Sequence, residues 1–133
     1  MNLRATRKLA QQIARRLQQS NGGVVLLQGA MGAGKTTLVG EIVRLLAPDA
    51  MPSSPTYTII NQYTDNIYHA DLYRLWENEA QSVAEILQGT GLADLCIDGN
   101  YVFIEWPNDL SLPNAIKIKI QVKENGNREF IID

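Results

Sequence analysis

The chain has 133 residues, of which 45% are hydrophobic and 20% are charged. This composition supports one domain with a buried core and excludes the low-hydrophobicity, high-charge pattern of a disordered protein. Twelve basic and 14 acidic residues give a net charge of -2, which argues against the broad basic surface of an autonomous nucleic-acid-binding domain. We therefore predict a single domain over residues 1–133.

Cysteine content and hydropathy give expectations about the compartment. The one cysteine, Cys96, excludes an intrachain disulfide and a zinc site built from cysteines, and it is typical of a reducing compartment. No apolar run approaches the length of a membrane span, and the N-terminal segment lacks the apolar region of a signal peptide. We expect a cytoplasmic protein without membrane association.

The first third of the chain predicts a helix, a strand and a second helix. Leu3–Gln19 is amphipathic, and its basic face is either a solvated surface or a docking surface for a partner. Val24–Gln28 is short and apolar, as in a strand buried on both faces of a sheet. Apolar residues at helical spacing follow over Lys35–Ala47. The predicted apolar face of the first helix consists of Leu3, Leu9, Ala10, Ile13, Ala14 and Leu17.

The middle of the chain predicts a loop, a hairpin and a helix. Residues 48–55 are rich in proline and polar residues, which is typical of a loop. Tyr57–Tyr63 and Ile67–Asp71 flank a three-residue connection and predict a β-hairpin. Glu79–Leu87 is predicted to be a helix that Gly89 and Gly91 break, and residues 92–97 are ambiguous.

The last third predicts three strands. Tyr101–Glu105 has the pattern of a second buried strand, and Ala115–Val122 alternates apolar and polar residues as a half-exposed strand does. Asn125 and Gly126 form a turn signal before Glu129–Ile132, so the chain ends in a β-hairpin. Buried strands that alternate with helices predict an α/β fold with a mixed, mostly parallel sheet and helices on both faces.

One motif carries specific chemistry. Residues 29–36 read Gly-Ala-Met-Gly-Ala-Gly-Lys-Thr, which matches G-x-x-x-x-G-K-[ST] between a predicted strand and a predicted helix. Glycines let backbone N–H groups converge on phosphate oxygens, and the helix N-terminus adds partial positive charge. We expect Lys35, as an exposed loop cation, to reach the β- and γ-phosphates of a nucleotide and the Thr36 hydroxyl to bind Mg²⁺. The predicted nucleotide-binding residues are Gly29, Met31, Gly32, Ala33, Gly34, Lys35, Thr36 and Thr37.

The glycine spacing also excludes the dinucleotide-binding fingerprint G-x-G-x-x-G. The motif therefore predicts a P-loop NTPase fold.

A nucleoside triphosphate site also needs an acidic group near the metal, usually at the end of a second buried strand. Glu105 ends such a strand and is the first candidate, as a catalytic residue and metal ligand, with a solvated strand-end acid as the alternative. Asp71 ends the preceding predicted strand and is the second candidate, as a metal or water ligand. Thr56 lies in the loop after the predicted second helix, where it could sense the γ-phosphate. Loop polarity also explains Thr56.

Three further residues lie beside these candidates. His69 lies within a strand pattern, so we expect it to be packed or hydrogen-bonded rather than catalytic. Trp106 and Tyr73 are neighbours of the candidate acids. We expect them to pack at the core or its rim, with stacking on a base or on a partner as the alternative.

These segments together resemble the TsaE family. The glycine-rich motif, Ser54–Tyr57, His69–Leu75 and Glu105-Trp106 occur in the order and approximate spacing of these small ATPases, which support the synthesis of threonylcarbamoyladenosine in tRNA. The resemblance spans nearly the whole chain. It implies ATP hydrolysis with Mg²⁺ in support of a partner complex that contains TsaD-like and TsaB-like proteins, and it leaves an indirect association with tRNA open.

The resemblance also assigns roles to individual residues. It implies that Lys35, Thr36 and Glu105 bind phosphate and metal. It further implies that Thr56 acts as a switch and that Asp71 organises metal or water.

Three classes of function compete: a regulatory ATPase that acts through partners, a small-molecule kinase, and a nucleotide-binding module without turnover. Between Leu45 and Lys117 the only Lys or Arg is Arg74, which disfavours a kinase because phosphoryl transfer to a small acceptor needs several cations. A module without turnover stays open, because Glu105 and Asp71 could hold Mg²⁺ without activating water. We predict the ATPase, with slow turnover until partner docking orders the Ser54–Tyr57 loop or supplies a cation.

Overall fold

The computed structural model describes residues 3–50, 59–77 and 82–133. Within these ranges, strands and helices alternate as far as β2, and groups of strands or helices follow one another after it. The elements are α1 (Leu3–Gln19), β1 (Gly23–Gly29), α2 (Lys35–Leu46), β2 (Ile60–Thr64), β3 (Ile67–Asp71), α3 (Tyr73–Trp76), α4 (Val83–Thr90), α5 (Leu92–Leu95), β4 (Tyr101–Glu105), β5 (Ile116–Val122) and β6 (Arg128–Ile132).

The strands form one six-stranded sheet in the order β2-β3-β4-β1-β5-β6. The central pairs β3–β4, β4–β1 and β1–β5 are parallel, whereas the edge pairs β2–β3 and β5–β6 are antiparallel. The mixed, mostly parallel sheet with a C-terminal hairpin is therefore confirmed. Because β1, β3 and β4 run in the same direction, Gly29, Asp71 and Glu105 end at the same edge of the sheet.

Both faces of the sheet are covered by helices, as predicted for this α/β P-loop NTPase fold. Val25 and Leu27 of β1 belong to the hydrophobic cluster that packs against α1 and α2. Leu26, between them, belongs to the cluster with Ile86 of α4 and Leu92 of α5. Alternation along β1 therefore buries both faces of the strand, which is why its sequence is continuously apolar.

Helix α1 packs against α2 and keeps its basic residues in solvent. Its buried face begins at Thr6. Leu3 was predicted to be on this face, but residues 3–5 are all exposed and Leu3 retains 40% of its accessible surface. Arg7 forms an ion pair with Glu41 of α2 at 3.7 Å. No helix within the described ranges is both long enough and apolar enough to cross a membrane.

The hairpin of β2 and β3 differs from its predicted form. Thr64 belongs to β2 and pairs with Ile67, so the connection has two residues instead of three, with a register irregularity between Gln62 and Thr64. The Thr64 hydroxyl accepts the Asn66 N–H at 3.2 Å, and this bond closes the turn. The predicted start of β2 at Tyr57 lies outside the described residues, and the strand is described from Ile60 onward.

The helices that follow β3 also differ from the prediction. Helix α4 begins after Ser82, whose hydroxyl caps it by accepting the Glu85 N–H at 3.2 Å. It continues through Gly89, so the predicted break at Gly89 is wrong. It is capped by Gly91, which has a φ of 73°, so the predicted break at Gly91 is confirmed. The short helices α3 and α5 contain four residues each, too few for a periodic pattern to reveal them.

The connection between α1 and β1 requires glycine. Gly22 has a φ of +118°, and a Cβ there would lie 2.7 Å from the backbone oxygen of Asn100. We expect Gly22→Ala to reduce the free energy of unfolding by roughly 3 kcal/mol, from backbone strain plus this overlap. In the matched control Gly126→Ala the backbone is also left-handed, but the new Cβ meets nothing within 4 Å, so only a loss on the order of 1 kcal/mol is expected. Urea denaturation measures both, and equal losses would contradict the role of the close approach.

Candidate functional site

A cleft of about 400 Å³ lies where β1, β3 and β4 end and α2 begins. Another cavity, of about 410 Å³, is lined by residues 107–111 and by residues of β1, β5 and β6. Volume therefore does not distinguish the two, but the side-chain chemistry does. The first cleft is lined by Met31, Gly32, Gly34, Lys35, Thr36, Thr37, Asp71, Tyr73, Glu105 and Trp106.

The glycine-rich loop forms one wall of this cleft. Gly32 and Gly34 have φ values of 81° and 107°, in the left-handed region that favours glycine. Between them, the Ala33 N–H donates to the Ala30 carbonyl at 3.0 Å and closes a tight turn. Gly34 caps α2, so the cleft faces the first N–H groups of this helix, which have no intrahelical acceptors. The wall is therefore suited to an anion.

Lys35 is buried at the base of the loop. Only 4% of its surface is exposed, so the prediction of an exposed loop cation is wrong. Its Nζ donates to the carbonyl oxygens of Gly29 at 2.5 Å and Ala30 at 3.1 Å. The same atom lies 4.1 Å from the centre of the Trp106 ring. The folding of α2 onto the end of β1 thus covers the ammonium group while keeping it in the lining of the cleft.

Glu105 is the centre of a buried hydrogen-bond cluster. It shares a strand face with Phe103, which packs on the side of α2, so its carboxylate points toward the start of that helix. The Thr36 hydroxyl lies 2.9 Å from Oε2 and 3.1 Å from Oε1 of Glu105. His69 Nε2 lies 2.5 Å from Oε2, and because an ionised carboxylate only accepts, this nitrogen is assigned as the donor.

The structure confirms that His69 is buried and hydrogen-bonded. Its ring stacks on Tyr63, with centroids 6.4 Å apart and planes 15° apart. The pairing of His69 with Glu105 was missed by the sequence reasoning. The available signal was the spacing to Asp71, because residues two apart in a strand share a face and Asp71 lies opposite Glu105 in the sheet.

Asp71 lies at the exposed mouth of the cleft. Its Oδ1 accepts the Tyr73 N–H at 3.1 Å, an interaction that turns the chain from β3 into α3. The structure therefore brings Asp71 together with Lys35, Thr36 and Glu105, as the sequence predicted. Thr56 lies outside the described residues.

Arg74 is on α3 and exposed, and it is not part of the lining of this cleft.

Trp106 is held in a strained backbone conformation directly after Glu105. Its φ is 58°, which costs about 1–3 kcal/mol for a residue other than glycine. Three contacts hold it: its N–H donates to Leu27 O at 3.1 Å, its carbonyl accepts Trp76 Nε1–H at 2.5 Å, and its ring packs on Tyr73 at 4.8 Å between centroids. Trp106 and Tyr73 therefore pack on each other in the lining of the cleft, and their stacking on a base or on a partner stays a prediction. The contribution of Trp76 had no signal in the sequence, because its partner is a backbone carbonyl 30 residues away.

Burial and charge shift two pKa values around the cleft. Burial lowers the pKa of Lys35 below its ordinary value, and the negative charges of Glu105 and Asp71 partly oppose this shift. Burial raises the pKa of Tyr63, and the charge of Glu105 raises it further. Glu105 therefore stabilises the ammonium form of Lys35 and disfavours the phenolate of Tyr63.

The oxygen donors of the cleft fit a cation that is only partly coordinated by protein. No cluster of three or more His, Cys, Asp or Glu side chains suited to a metal ion occurs in the described part of the chain. The Thr36 hydroxyl and the carboxylates of Glu105 and Asp71 line the same cleft. Mg²⁺ commonly takes one or two carboxylates and fills its other positions with waters and phosphate oxygens.

Comparison with known proteins identifies the family. Residues 1–130 match the family described as threonylcarbamoyl adenosine biosynthesis protein TsaE. The chain belongs to the TsaE family. The resemblance inferred from the motifs is therefore confirmed.

Three curated relatives are each named tRNA threonylcarbamoyladenosine biosynthesis protein TsaE. The protein from Nostoc sp. is 35% identical over 113 residues, which are 81% of this chain and 68% of that protein. The protein from Rickettsia felis is 34% identical over 134 residues, 96% of this chain and 73% of that protein. The protein from Treponema pallidum is 34% identical over 119 residues, 84% of this chain and 82% of that protein.

The electrostatic role of Glu105 can be tested without any ligand. We expect Glu105→Gln to lower the pKa of both Lys35 and Tyr63, because the substitution removes a negative charge that raises both values. NMR titration of the Lys35 Cε and Tyr63 Cζ signals measures the two shifts. Glu124→Gln, in the exposed turn between β5 and β6, is the matched control and should change neither. Unchanged values in Glu105→Gln would contradict the charge coupling across the cleft.

Proposed function

We propose that this chain is a Mg²⁺-dependent ATPase that acts in the synthesis of threonylcarbamoyladenosine in tRNA. The observation that carries the proposal is the contact of the Thr36 hydroxyl with the Glu105 carboxylate, which joins the glycine-rich loop to the second buried strand end. Membership of the TsaE family supports the biosynthetic role. We also propose a cytoplasmic location, because the proposed role in tRNA modification requires ATP and tRNA.

The loop and the start of α2 would bind the phosphates of ATP. Left-handed Gly32 and Gly34 shape the loop, and the N-terminus of α2 supplies partial positive charge. Lys35 supplies a full positive charge in the lining of the cleft. The shift of the Lys35 pKa supports this role, because burial without a bound anion disfavours the ammonium and a phosphate would reverse that cost.

Thr36 and Glu105 would hold Mg²⁺. Their oxygens already lie 2.9 Å apart, and both are of the hard type that this ion prefers. When bound, Mg²⁺ neutralises charge on the β- and γ-phosphate oxygens. The His69 bond to Oε2 of Glu105, beside the contact from Thr36, helps to orient this carboxylate without a bound metal.

Asp71 is the better placed of the two acids to orient an attacking water. Glu105 is 4% exposed and bonds both Thr36 and His69, whereas Asp71 lies exposed at the mouth of the cleft. A carboxylate at this position can accept a hydrogen bond from the O–H of a water molecule while remaining solvated. The geometry therefore supports a division of roles, with Glu105 toward the metal and Asp71 toward water.

The cations of the described cleft support slow turnover by the chain alone. A fast NTPase supplies a cation to the transferring phosphoryl group, which is worth about 10³ to 10⁵ in rate. Lys35 is held by two carbonyls and the Trp106 ring, and Arg74 lies outside the cleft. We propose that a complex of TsaD-like and TsaB-like proteins completes the site, by supplying a cation or by acting on the segment Ser54–Tyr57. Association with tRNA is then indirect, through these partners.

A nucleotide-binding module without turnover is the second candidate. It is favoured by the same scarcity of cations in the described cleft. A small-molecule kinase needs still more cations around the transferred group, so the lining disfavours this class. Turnover with partners distinguishes the two remaining candidates.

Loss of Lys35 should prevent productive ATP binding. We expect Lys35→Ala to raise the Kd for a non-hydrolysable ATP analogue with Mg²⁺ at least about tenfold, because a charge-assisted contact to phosphate is lost. Isothermal titration calorimetry measures the affinity, and circular dichroism checks the fold. Arg44→Ala removes the same charge from an exposed position on the same helix and should bind like the wild type. Wild-type affinity in folded Lys35→Ala would contradict the phosphate-binding role of the loop.

ATP turnover should depend on the partners and on both acids. We expect slow hydrolysis by the chain alone and faster hydrolysis with TsaD-like and TsaB-like proteins and tRNA. In that mixture Glu105→Gln and Asp71→Asn should retain nucleotide binding but lose at least about tenfold in turnover, because the acids act mainly where charge develops in the transition state. Release of phosphate measures the rate.

Asp98→Asn, exposed and away from the cleft, is the control for the loss of one acid. Binding of ATP without turnover in every mixture would favour the module. Wild-type turnover in either site variant would remove the proposed role of that acid.

A further inference from the structure

Arg128 contacts the glycine-rich loop from the far edge of the sheet. It is the first residue of β6, and β5 separates this strand from β1. Its Nε donates to the carbonyl oxygen of Ala33 at 2.5 Å, and its Nη2 donates to that of Gly32 at 3.1 Å. It shares a strand face with Phe130, which packs against the core on the α2 side. The C-terminal hairpin is thereby joined to the loop across 95 residues of sequence.

These contacts fix the orientation of two successive peptide groups. A trans peptide directs its C=O and N–H to opposite sides of one plane. The guanidinium holds the Ala33 carbonyl, so the N–H of Gly34 points away from Arg128. The preceding peptide is held at both ends, by Arg128 at the Gly32 carbonyl and by the bond from Ala33 N–H to Ala30 O at 3.0 Å. The fork of donors in arginine fits two neighbouring carbonyls in this way.

The glycine-rich loop needs contacts from outside to keep its backbone conformation. Gly32 and Gly34 flank Ala33 and have left-handed φ values, and glycine can leave that conformation at low cost. A reversed Ala33-Gly34 peptide would present a carbonyl oxygen where an anion needs an N–H. Because guanidinium is permanently charged, its hydrogen bonds also polarise the two peptides and increase the donor strength of the N–H groups.

We propose that Arg128 is a positioning residue for the phosphate-binding loop. It holds the N–H of Gly34 in the orientation that binds nucleotide phosphate, and it acts through the loop and not on the reacting atoms. This inference rests on the proposed binding of ATP. It assigns a role in the nucleotide site to the β5–β6 hairpin.

The test compares Arg128→Met and Arg128→Lys with Lys123→Met. Lys123 carries the same charge on the same hairpin, and its side chain is more than half exposed beside Glu129. We expect Arg128→Met to raise the Kd for a non-hydrolysable ATP analogue with Mg²⁺ about tenfold, the loss of two charge-assisted hydrogen bonds that order the loop. Arg128→Lys, which keeps the charge but not the fork, should be intermediate, and Lys123→Met should bind like the wild type.

Two further readouts separate positioning from catalysis and from general stability. In the partner mixture Arg128→Met should raise KM with kcat within about twofold of the wild type. The reason is that the lost interaction stabilises the bound substrate and the transition state equally. In the nucleotide-free chain, hydrogen exchange at the Gly34 amide should accelerate in Arg128→Met but not in Lys123→Met. If Arg128→Met does not fold, Arg128→Lys provides the same comparisons.

The outcomes distinguish this inference from the proposed function. Equal affinities of Arg128→Met and the wild type, or equal losses in Arg128→Met and Lys123→Met, would overturn the role of Arg128 while leaving ATP binding intact. A wild-type chain that binds no ATP would overturn the proposed function. An unchanged rate of hydrogen exchange at the Gly34 amide in Arg128→Met would contradict the ordering of the loop by Arg128, whether or not ATP binds.

Discussion

The site depends on the hydrogen bonds that compensate the buried carboxylate of Glu105. An ionised carboxylate that is 4% exposed must be compensated by hydrogen bonds. Thr36 provides one from the start of α2, and His69 provides another from β3. The cost of leaving this charge unpaired therefore ties three elements together. The first turn of the loop helix is held against the end of the sheet even without a ligand.

Charge and strain around the cleft are balanced by contacts from distant parts of the chain. Lys35 is buried against the carbonyls of Gly29 and Ala30 and the Trp106 ring, and the acids of the cleft partly offset the cost of burying its charge. Trp106 keeps a left-handed backbone because Leu27, Trp76 and Tyr73 hold its N–H, its carbonyl and its ring. Strain held by surrounding contacts is common at functional sites, where it fixes a geometry that isolated residues would leave.

Local sequence patterns predict most of the fold. The amphipathic pattern of α1 and the apolar runs of β1 and β4 come from burial on one face or on both, so periodicity reveals them. Ends of elements were harder to predict. Helix α4 passes through Gly89 because the cap at Ser82 and the packing of Ile86 compensate for its low helical propensity. Thr64 joins β2 because its hydroxyl closes a two-residue turn.

The amino-acid sequence alone reveals the glycine-rich loop, Thr36 at its end, and the two strand-ending acids Glu105 and Asp71. These features are local, because a loop between a strand and a helix and an acid after an apolar run need no distant partner to be recognised. The burial of Lys35 and the bond between His69 and Glu105 follow from the three-dimensional structure and not from any local pattern. The three-dimensional structure alone joins Arg128 to the loop, across 95 residues. The physical reason is that burial and hydrogen bonding depend on which strands become neighbours in the sheet. The order of the strands is not determined by the residue spacing within any one segment.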